Sequence, residues 1–337
     1  MRLLVTGGAG FIGCNFIRYW LEKYSEDEIA NLDVLTYAGN LDNLKDLEGN
    51  YRYRFVKGDI TDFDFVDNLV KQFKPDIIVN FAAESHNSWA IINPSIFFKT
   101  NLLGTQTLLE VCRKNNVPRF HHISTCEVYG DLPLDSTEKF TESTSYKPNT
   151  PYNASKAAAD LAVRAYHKTF KLPITISNCC NNYGIYQFPE KLIPLFVSNL
   201  LDDKKVPLYK QSKNRREWIH VLDHCRAIDL ILKNGKIGET YNVGTEVEKS
   251  VEEITQIILD TLSKPESMKE YVEDRPGHDR RYLLDSSKIM NELGWKPEIP
   301  FDQGMRDTIL WYKDNRAWWE PLKEKKLVLE DKWDSRE

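Results

Sequence analysis

The sequence predicts an α/β fold, a doubly wound parallel sheet with a smaller α/β unit interleaved into it, on three observations. Continuous apolar runs alternate with amphipathic segments from the first residues onward. Glycines cluster between the first apolar run and the first amphipathic segment. After Asn178 the alternation loosens into proline-containing stretches before it resumes. Uninterrupted apolar strands indicate a sheet buried on both faces, and the amphipathic segments between them supply the covering helices.

Taken in order, residues 3–5 read as a strand, about 11–24 as a helix, 29–34 and 53–56 as strands, 63–73 as a helix and 77–81 as a strand. The rhythm continues with a helix over 101–115, a strand over 120–124, a helix over 152–170 and a strand over 174–178. Then come Gln187-Phe188-Pro189 and Lys205-Val206-Pro207, a strand–helix unit at about 218–232, and helices over 251–262 and 305–315. These shifts divide the chain into a cofactor-binding unit, 1–177 with about 214–243, and a second unit, 178–213 with about 244–337. The Trp-rich end (Trp311, Trp318, Trp319, Trp333) reads as an amphipathic helix and extension docked on the domain, since aromatic bodies usually pack.

Composition excludes several classes of protein. A chain of 337 residues with 41% hydrophobic and 28% charged residues is ordinary for a globular protein, neither disordered nor fibrous. The net charge of −5 and the lack of basic blocks argue against nucleic-acid binding. Six cysteines (Cys14, Cys112, Cys126, Cys179, Cys180, Cys225), with no CxxC pair or zinc spacing, read as free thiols in a reducing compartment, and no metal site is expected. The first apolar run stops at Gly7, and no later run reaches membrane-spanning length, so a cytoplasmic protein with no membrane partner is the expectation.

Thr6-Gly7-Gly8-Ala9-Gly10-Phe11-Ile12-Gly13 follows the first strand and opens the first helix. Glycine there lets the backbone turn tightly against a pyrophosphate, while the helix N-terminus offers N–H donors and the positive end of its dipole. Asp33 follows Gly13 by 20 residues at the end of the second strand, where a carboxylate can accept both ribose hydroxyls. That carboxylate would repel a 2′-phosphate, so the Rossmann-type half is expected to bind NAD rather than NADP. Tyr152-Asn153-Ala154-Ser155-Lys156 sets a phenol and an ammonium four residues apart, on one helix face. A lysine so placed is expected to lower the phenol's pKa, making Tyr152 a general base near neutral pH, and to hold the nicotinamide ribose.

At this point the sequence resembles the extended short-chain dehydrogenase/reductase family and, within it, the nucleotide-sugar 4,6-dehydratases. The resemblance runs to about residue 315 and is carried by five stretches: 35–41, 82–86, 124–130, 181–184 with 188–194, and 275–282. It implies further cofactor contacts from Thr36, Asn40, Asp59, Ile60, Ala82, Ala83, Glu84, Thr100 and Asn182. It also implies contacts to a UDP- or dTDP-glucose substrate from Ser85, Thr125, Asn181, Glu190, Lys191, Leu192, Pro207, Tyr209, Arg216, Asn242, Arg275 and His278. Arg216 and Arg275 would clamp phosphate oxygens bidentately. A homodimer built on a four-helix interface is implied too.

The family reaction oxidises carbon 4 with hydride passing to NAD, removes water across carbons 5 and 6, and returns the hydride to carbon 6. It opens rhamnose-type deoxysugar synthesis. By resemblance Tyr152, with Thr125 and Lys156, acts at the 4-hydroxyl, and Glu127 removes the carbon-5 proton. An aspartate just before that glutamate usually supplies the leaving hydroxyl's proton, and here the position is Cys126. An unperturbed thiol, pKa about 8.5, is mostly protonated at neutral pH, whereas a carboxyl at about 3.9 must be raised to serve. Dehydration is therefore expected to survive, with Cys126 as the acid or Glu127 carrying the proton both ways. A second departure is Asn87-Ser88-Trp89-Ala90, where bacterial members carry a Val-Asp-Arg-Ser pattern. The alternatives are a 5,6-dehydratase, a 4-epimerase, which needs no base at carbon 5, and a non-catalytic NAD-binding redox sensor.

Overall fold

A computed structural model describes residues 1–210, 213–273 and 278–325. The first half alternates strand and helix: β1 (Arg2–Thr6), α1 (Phe11–Lys23), β2 (Glu28–Asp33), β3 (Tyr53–Lys57), α2 (Phe63–Phe73), β4 (Ile77–Asn80) and the short α3 (Asn87–Ile92) and α4 (Pro94–Phe97). Next come α5 (Thr105–Asn115), β5 (Arg119–Thr125), α6 (Pro151–Phe170) and β6 (Ile174–Cys179). Later elements are β7 (Asn181–Tyr183), α7 (Leu192–Leu201), β8 (Val206–Tyr209), β9 (Arg215–His220), α8 (Val221–Asn234) and β10 (Thr240–Val243). The chain closes with β11 (Glu248–Ser250), α9 (Val251–Leu262), β12 (Lys269–Val272), α10 (Ser287–Leu293), α11 (Phe301–Asp314) and α12 (Arg316–Lys323).

Seven strands form one sheet in the order β3-β2-β1-β4-β5-β6-β10, and every neighbouring pair is parallel. Strands β1, β4, β5 and β6 are buried along almost their whole length; β1 and β4 are accordingly almost wholly apolar, while β5 and β6 also bury polar side chains that bond one another, His121 with Thr175 and Ser177. One face is covered by α2, α5 and α6, with Val66, Leu108, Leu109 and Val163 in that core. The other is covered by α1 and α8, through Phe16, Ile17, Trp20 and Ile228. The order reverses between β1 and β4, and in doubly wound sheets ligands bind at such a switch point.

Two small sheets lie outside this one. In the first, β9 pairs parallel with β7 and antiparallel with β11, and in the second β8 pairs parallel with β12. Between β6 and β7 the chain leaves the large sheet at Cys179 and enters the small one at Asn181. It rejoins the large layers at α8, so β9 belongs to the small sheet although the sequence boundary near 214 assigned it to the large one.

The helix expected over 101–115 is α-helical only from Thr105, because Phe98–Gly104 forms a π-helical turn. The cause is local. Asn101 bonds Glu84 N (2.8 Å), Glu84 O (3.0 Å) and Ser155 Oγ (2.8 Å), tying the turn to the β4 exit and to α6. At the other end of the chain, Trp319 is fully buried and donates to Tyr312 O (2.7 Å), while Trp318 reaches Asn43 (2.9 Å). The Trp-rich segment thus docks as a helix, and Trp333 lies outside the described residues.

Candidate active site

A cleft of about 400 Å³ opens at the C-terminal ends of the β1 and β4 strands. Its floor is the glycine turn. Gly7 has a φ of +70°, and a Cβ there would lie 2.6 Å from Ala82 N; a Cβ on Gly13 would lie 2.5 Å from Gly7 O. At these two positions a side chain would force β1, β4 and the start of α1 apart. The N-cap of α1 is Gly10, which offers no side chain to its first-turn amides, so an anion can take that place.

Asp33 lines the same cleft, its two oxygens held by Ala9 N (2.9 Å) and Leu35 N (2.8 Å). Burial raises its pKa, and those backbone bonds oppose the rise. A carboxylate has about four acceptor sites, so two remain for a diol. The turn without side chains, the helix terminus and this carboxylate fit a dinucleotide whose ribose lacks a phosphate. Every cofactor contact expected above except Asn40 lines this cleft. Asn40 instead caps the next 3₁₀ turn, its Oδ1 accepting from Asp42 N at 3.2 Å.

On the other side of the cleft stand Thr125, Glu127, Tyr152 and Lys156. Thr125 ends β5 and Glu127 lies just beyond it, where the chain turns into a 3₁₀ segment, Cys126–Tyr129. The other two lie on the first turns of α6, which Thr150 caps by accepting from Asn153 N (3.2 Å) and Pro151 opens. Lys156 Nζ donates to Ile123 O at 2.6 Å. Burial pulls its pKa down to about 8, and the Asp160 carboxylate one turn on opposes the fall. Asp160 itself is pushed up to about 6 by burial, although it accepts from Ser124 (2.8 Å) and Tyr146 (2.9 Å).

The sequence expectation for Tyr152 needs correction. Burial pushes its phenol well above its ordinary pKa, the Glu127 carboxylate adds to this, and the hydrogen bond with Thr125 opposes it. The Lys156 ammonium is engaged with the Ile123 carbonyl and does not overcome the burial. Cys126 also departs from expectation. Thr125 and Glu127 form the cleft wall, but Cys126 between them is only 1% exposed and belongs to an apolar cluster with Val128, Tyr129, Cys179, Cys180 and Tyr282. Burial, with Glu127 next in weight, pushes its thiol well above the ordinary value.

This geometry meets its counterparts in known proteins. The GDP-mannose 4,6 dehydratase family matches residues 4–308. The dTDP-glucose 4,6-dehydratase of Streptomyces niveus is 48% identical over 327 residues, 96% of each chain. The chain belongs to the nucleotide-sugar 4,6-dehydratase family. A solved dTDP-glucose 4,6-dehydratase from Streptomyces venezuelae, with NAD bound, superposes with a TM-score of 0.93 at 50% identity, covering 96% of this chain and 100% of that one. The UDP-glucose 4-epimerase of Thermotoga maritima gives a TM-score of 0.87 at 25% identity, covering 94% of this chain and 100% of that one. Members of this dehydratase family and epimerases thus share the fold, and the cleft's side chains have to distinguish them.

The substrate contacts expected for this dehydratase family member divide. Ser85, Asn181, Glu190 and Lys191 line the cleft, with Lys191 Nζ on Ser85 O at 2.8 Å. Leu192 opens α7, Pro207 and Tyr209 lie on β8, and none of the three is on the cleft wall. Tyr209 and His278 meet edge to face, 5.2 Å between ring centroids. Arg216 is engaged within the protein through part of its guanidinium. It donates to Asp279 O (2.8 Å) and Arg215 O (2.9 Å) and lies over the Tyr282 ring at 4.5 Å, a strut between β9 and the 279–282 segment. Asn242 is fully buried, accepting from Tyr129 Oη (2.8 Å) and donating to Phe140 O (2.9 Å). Arg275 lies outside the described residues.

Sequence reasoning passed over Tyr37 and Lys99 on the cleft wall and Asp160 behind it, and it singled out Asn87 only as part of a departing stretch, without its bond to Glu127. Tyr37 is hydrogen-bonded with Glu190 and Ser85 and packs edge to face on Phe188 (5.4 Å). It sits inside the 35–41 motif, which was the available signal. Among the described residues no group of His, Cys, Asp and Glu could hold a metal, and no helix is long and apolar enough to cross a membrane.

Proposed function

We propose that this chain is an NAD-dependent hydro-lyase that converts dTDP-glucose to its 4-keto-6-deoxy sugar nucleotide. The observation that carries this reading is Glu127 on the cleft wall beside Thr125, Tyr152 and Lys156. A 4-epimerase needs the tyrosine and lysine, but only an elimination across carbons 5 and 6 needs a further base. The dTDP-glucose dehydratases at 45–49% identity support the choice of nucleotide.

NAD would be held by the glycine turn, Asp33 and Lys156 and would supply the hydride acceptor and donor for the sugar, and its cationic ring would favour a phenolate nearby. Tyr152 takes the 4-hydroxyl proton, with Thr125 hydrogen-bonded to its phenol. Lys156, fixed on Ile123 O, keeps further N–H donors for a ribose. Once carbon 4 is a ketone, Glu127 removes the acidified carbon-5 proton and delivers it to the departing 6-oxygen, which leaves as water. The carboxylate then takes a solvent proton and returns it to carbon 5. Cys126, enclosed in its apolar cluster, stays neutral and supports the turn without handling the proton.

The large-sheet layers are the NAD-binding unit, and the small sheets with α7, α9, α11 and α12 are the nucleotide-sugar unit. Leu103 and Leu161, 55% and 57% exposed on the π-turn and α6, offer apolar surface for a second copy packed through a four-helix interface. Six buried free thiols suit a reducing cytoplasm.

The test is incubation with dTDP-glucose in deuterated water, with UDP-glucose in a parallel arm, and proton NMR of the products. A 6-methyl signal with deuterium at carbon 5 is expected from dTDP-glucose. Faster conversion of UDP-glucose would transfer the reading to that nucleotide, and unchanged or 4-epimerised sugar would refute it.

A further inference from the structure

We propose that Asn87 is a positioning residue for Glu127, tethering the carbon-5 base to the N-terminus of the helix that carries Tyr152; this rests on the dehydratase reading above. Asn87 Nδ2 donates to Glu127 Oε2 at 3.0 Å, and Asn87 Oδ1 accepts from Thr150 Oγ1 at 2.8 Å. Thr150 Oγ1 in turn accepts from Asn153 N at 3.2 Å as the cap of α6. The chain therefore has one direction: Asn153 N–H to Thr150, Thr150 O–H to Asn87, Asn87 N–H to Glu127.

That direction fixes which way the amide faces. The Glu127 carboxylate only accepts, so the amide's N–H₂ end must face it, and the amide oxygen is left to accept the single hydroxyl proton of Thr150. A glutamate has three side-chain torsions, and a bond to a charged acceptor holds one arrangement of them better than a neutral bond would. The anchor is rigid, since α6 runs from Pro151 to Phe170 and contains Tyr152 and Lys156. Asn87 thus holds the group acting at carbon 5 in register with the group acting at carbon 4, the adjacent atom.

The experiment compares wild-type holoenzyme with Asn87→Asp and Asn87→Ser on dTDP-glucose. Aspartate still accepts from Thr150 but has no N–H for Glu127 and faces it with like charge, and serine is too short to reach. Losing one bond to a charged group slows the step it supports by about 10- to 100-fold. We expect kcat to fall by that factor with KM little changed. Because oxidation precedes the slowed elimination, reduced cofactor should accumulate, visible by its near-ultraviolet absorbance, and the isotope effect from deuterium at carbon 5 should grow. A merely structural role would leave the last two unmoved, since Asn87→Asp retains the Thr150 bond. Bound NAD content reports folding, and if the aspartate variant fails to fold, the serine variant decides. Wild-type kcat in the folded variants, or a slower rate without reduced-cofactor build-up, overturns the tether and leaves the dehydratase reading standing. A wild-type enzyme inert on dTDP-glucose overturns both.

Discussion

Replacing Cys126 by alanine separates the two roles open to this position. If the thiol protonates the departing 6-hydroxyl, its removal deletes a general acid, which costs roughly 10²- to 10⁴-fold in rate. The structure leads to a different expectation. The side chain is 1% exposed, it belongs to the apolar cluster that also holds Val128, Tyr129, Cys179, Cys180 and Tyr282, and burial, with the Glu127 and Glu217 carboxylates adding to it, pushes its pKa well above the ordinary thiol value. A thiol so raised is a weaker acid than an exposed one, and it stands behind the cleft wall rather than on it. Alanine should therefore leave the rate of 6-deoxy product formation within about threefold, far short of the loss of a general acid. The effect belongs to stability instead. Deleting one buried heavy atom, comparable to a buried methylene, costs about 1 kcal/mol with a further amount for the cavity. Single-turnover conversion followed by the 6-methyl proton signal, beside a denaturant melt, measures both. A hundredfold loss of 6-methyl product with carbon-4 oxidation intact would refute the reasoning and restore Cys126 as the acid.

Two further predictions concern the cofactor side. In Gly13→Ala the new Cβ would stand 2.5 Å from Gly7 O and 2.7 Å from Gly8 Cα, both backbone atoms that cannot swing away, so the purified variant should carry little NAD; cofactor release on denaturation measures this, and full occupancy would contradict it. In wild type, activity should decline above about pH 8 as Lys156 loses its proton. Asp160→Asn removes the anion that favours the Lys156 ammonium, so the alkaline limb of kcat/KM should move to lower pH, and a limb that stays or moves upward would show that Asp160 does not act on Lys156.

The parts of the site legible in the sequence are those in which neighbours along the chain do the work. The glycine turn is one continuous segment whose N–H groups and missing side chains act together. Asp33 follows from the strand rhythm, and Tyr152 with Lys156 from the helical repeat. The parallel sheet was legible because strands buried on both faces, β1 and β4 above all, are almost continuously apolar, although β5 and β6 also bury His121, His122, Thr175 and Ser177. Hidden from such a reading were β10, a short strand added to the sheet edge beside β6, and the π-turn, which Asn101 creates by bonding groups on β4's exit and on α6.

The functional identities of charged and polar side chains divide in the same way. Nothing local to Arg216 shows that its guanidinium also reaches the carbonyl of residue 279, 63 positions on. Asn242 looks like a substrate contact until its bond to the carbonyl of residue 140 is seen. The lowered phenol expected from the tyrosine–lysine spacing fails because spacing reports proximity and not the desolvation of Tyr152 or the carbonyl that holds Lys156. What the sequence by itself determined is the fold class, the cofactor turn and the set of reactive groups, since these depend on periodicity and on residue chemistry. Only the tertiary structure decided that Glu127 faces the cleft while Cys126 beside it faces the core, and that Asn87 and Thr150 join that glutamate to α6. Facing and burial are set by segments far apart in the chain, and burial governs the charge each group can hold.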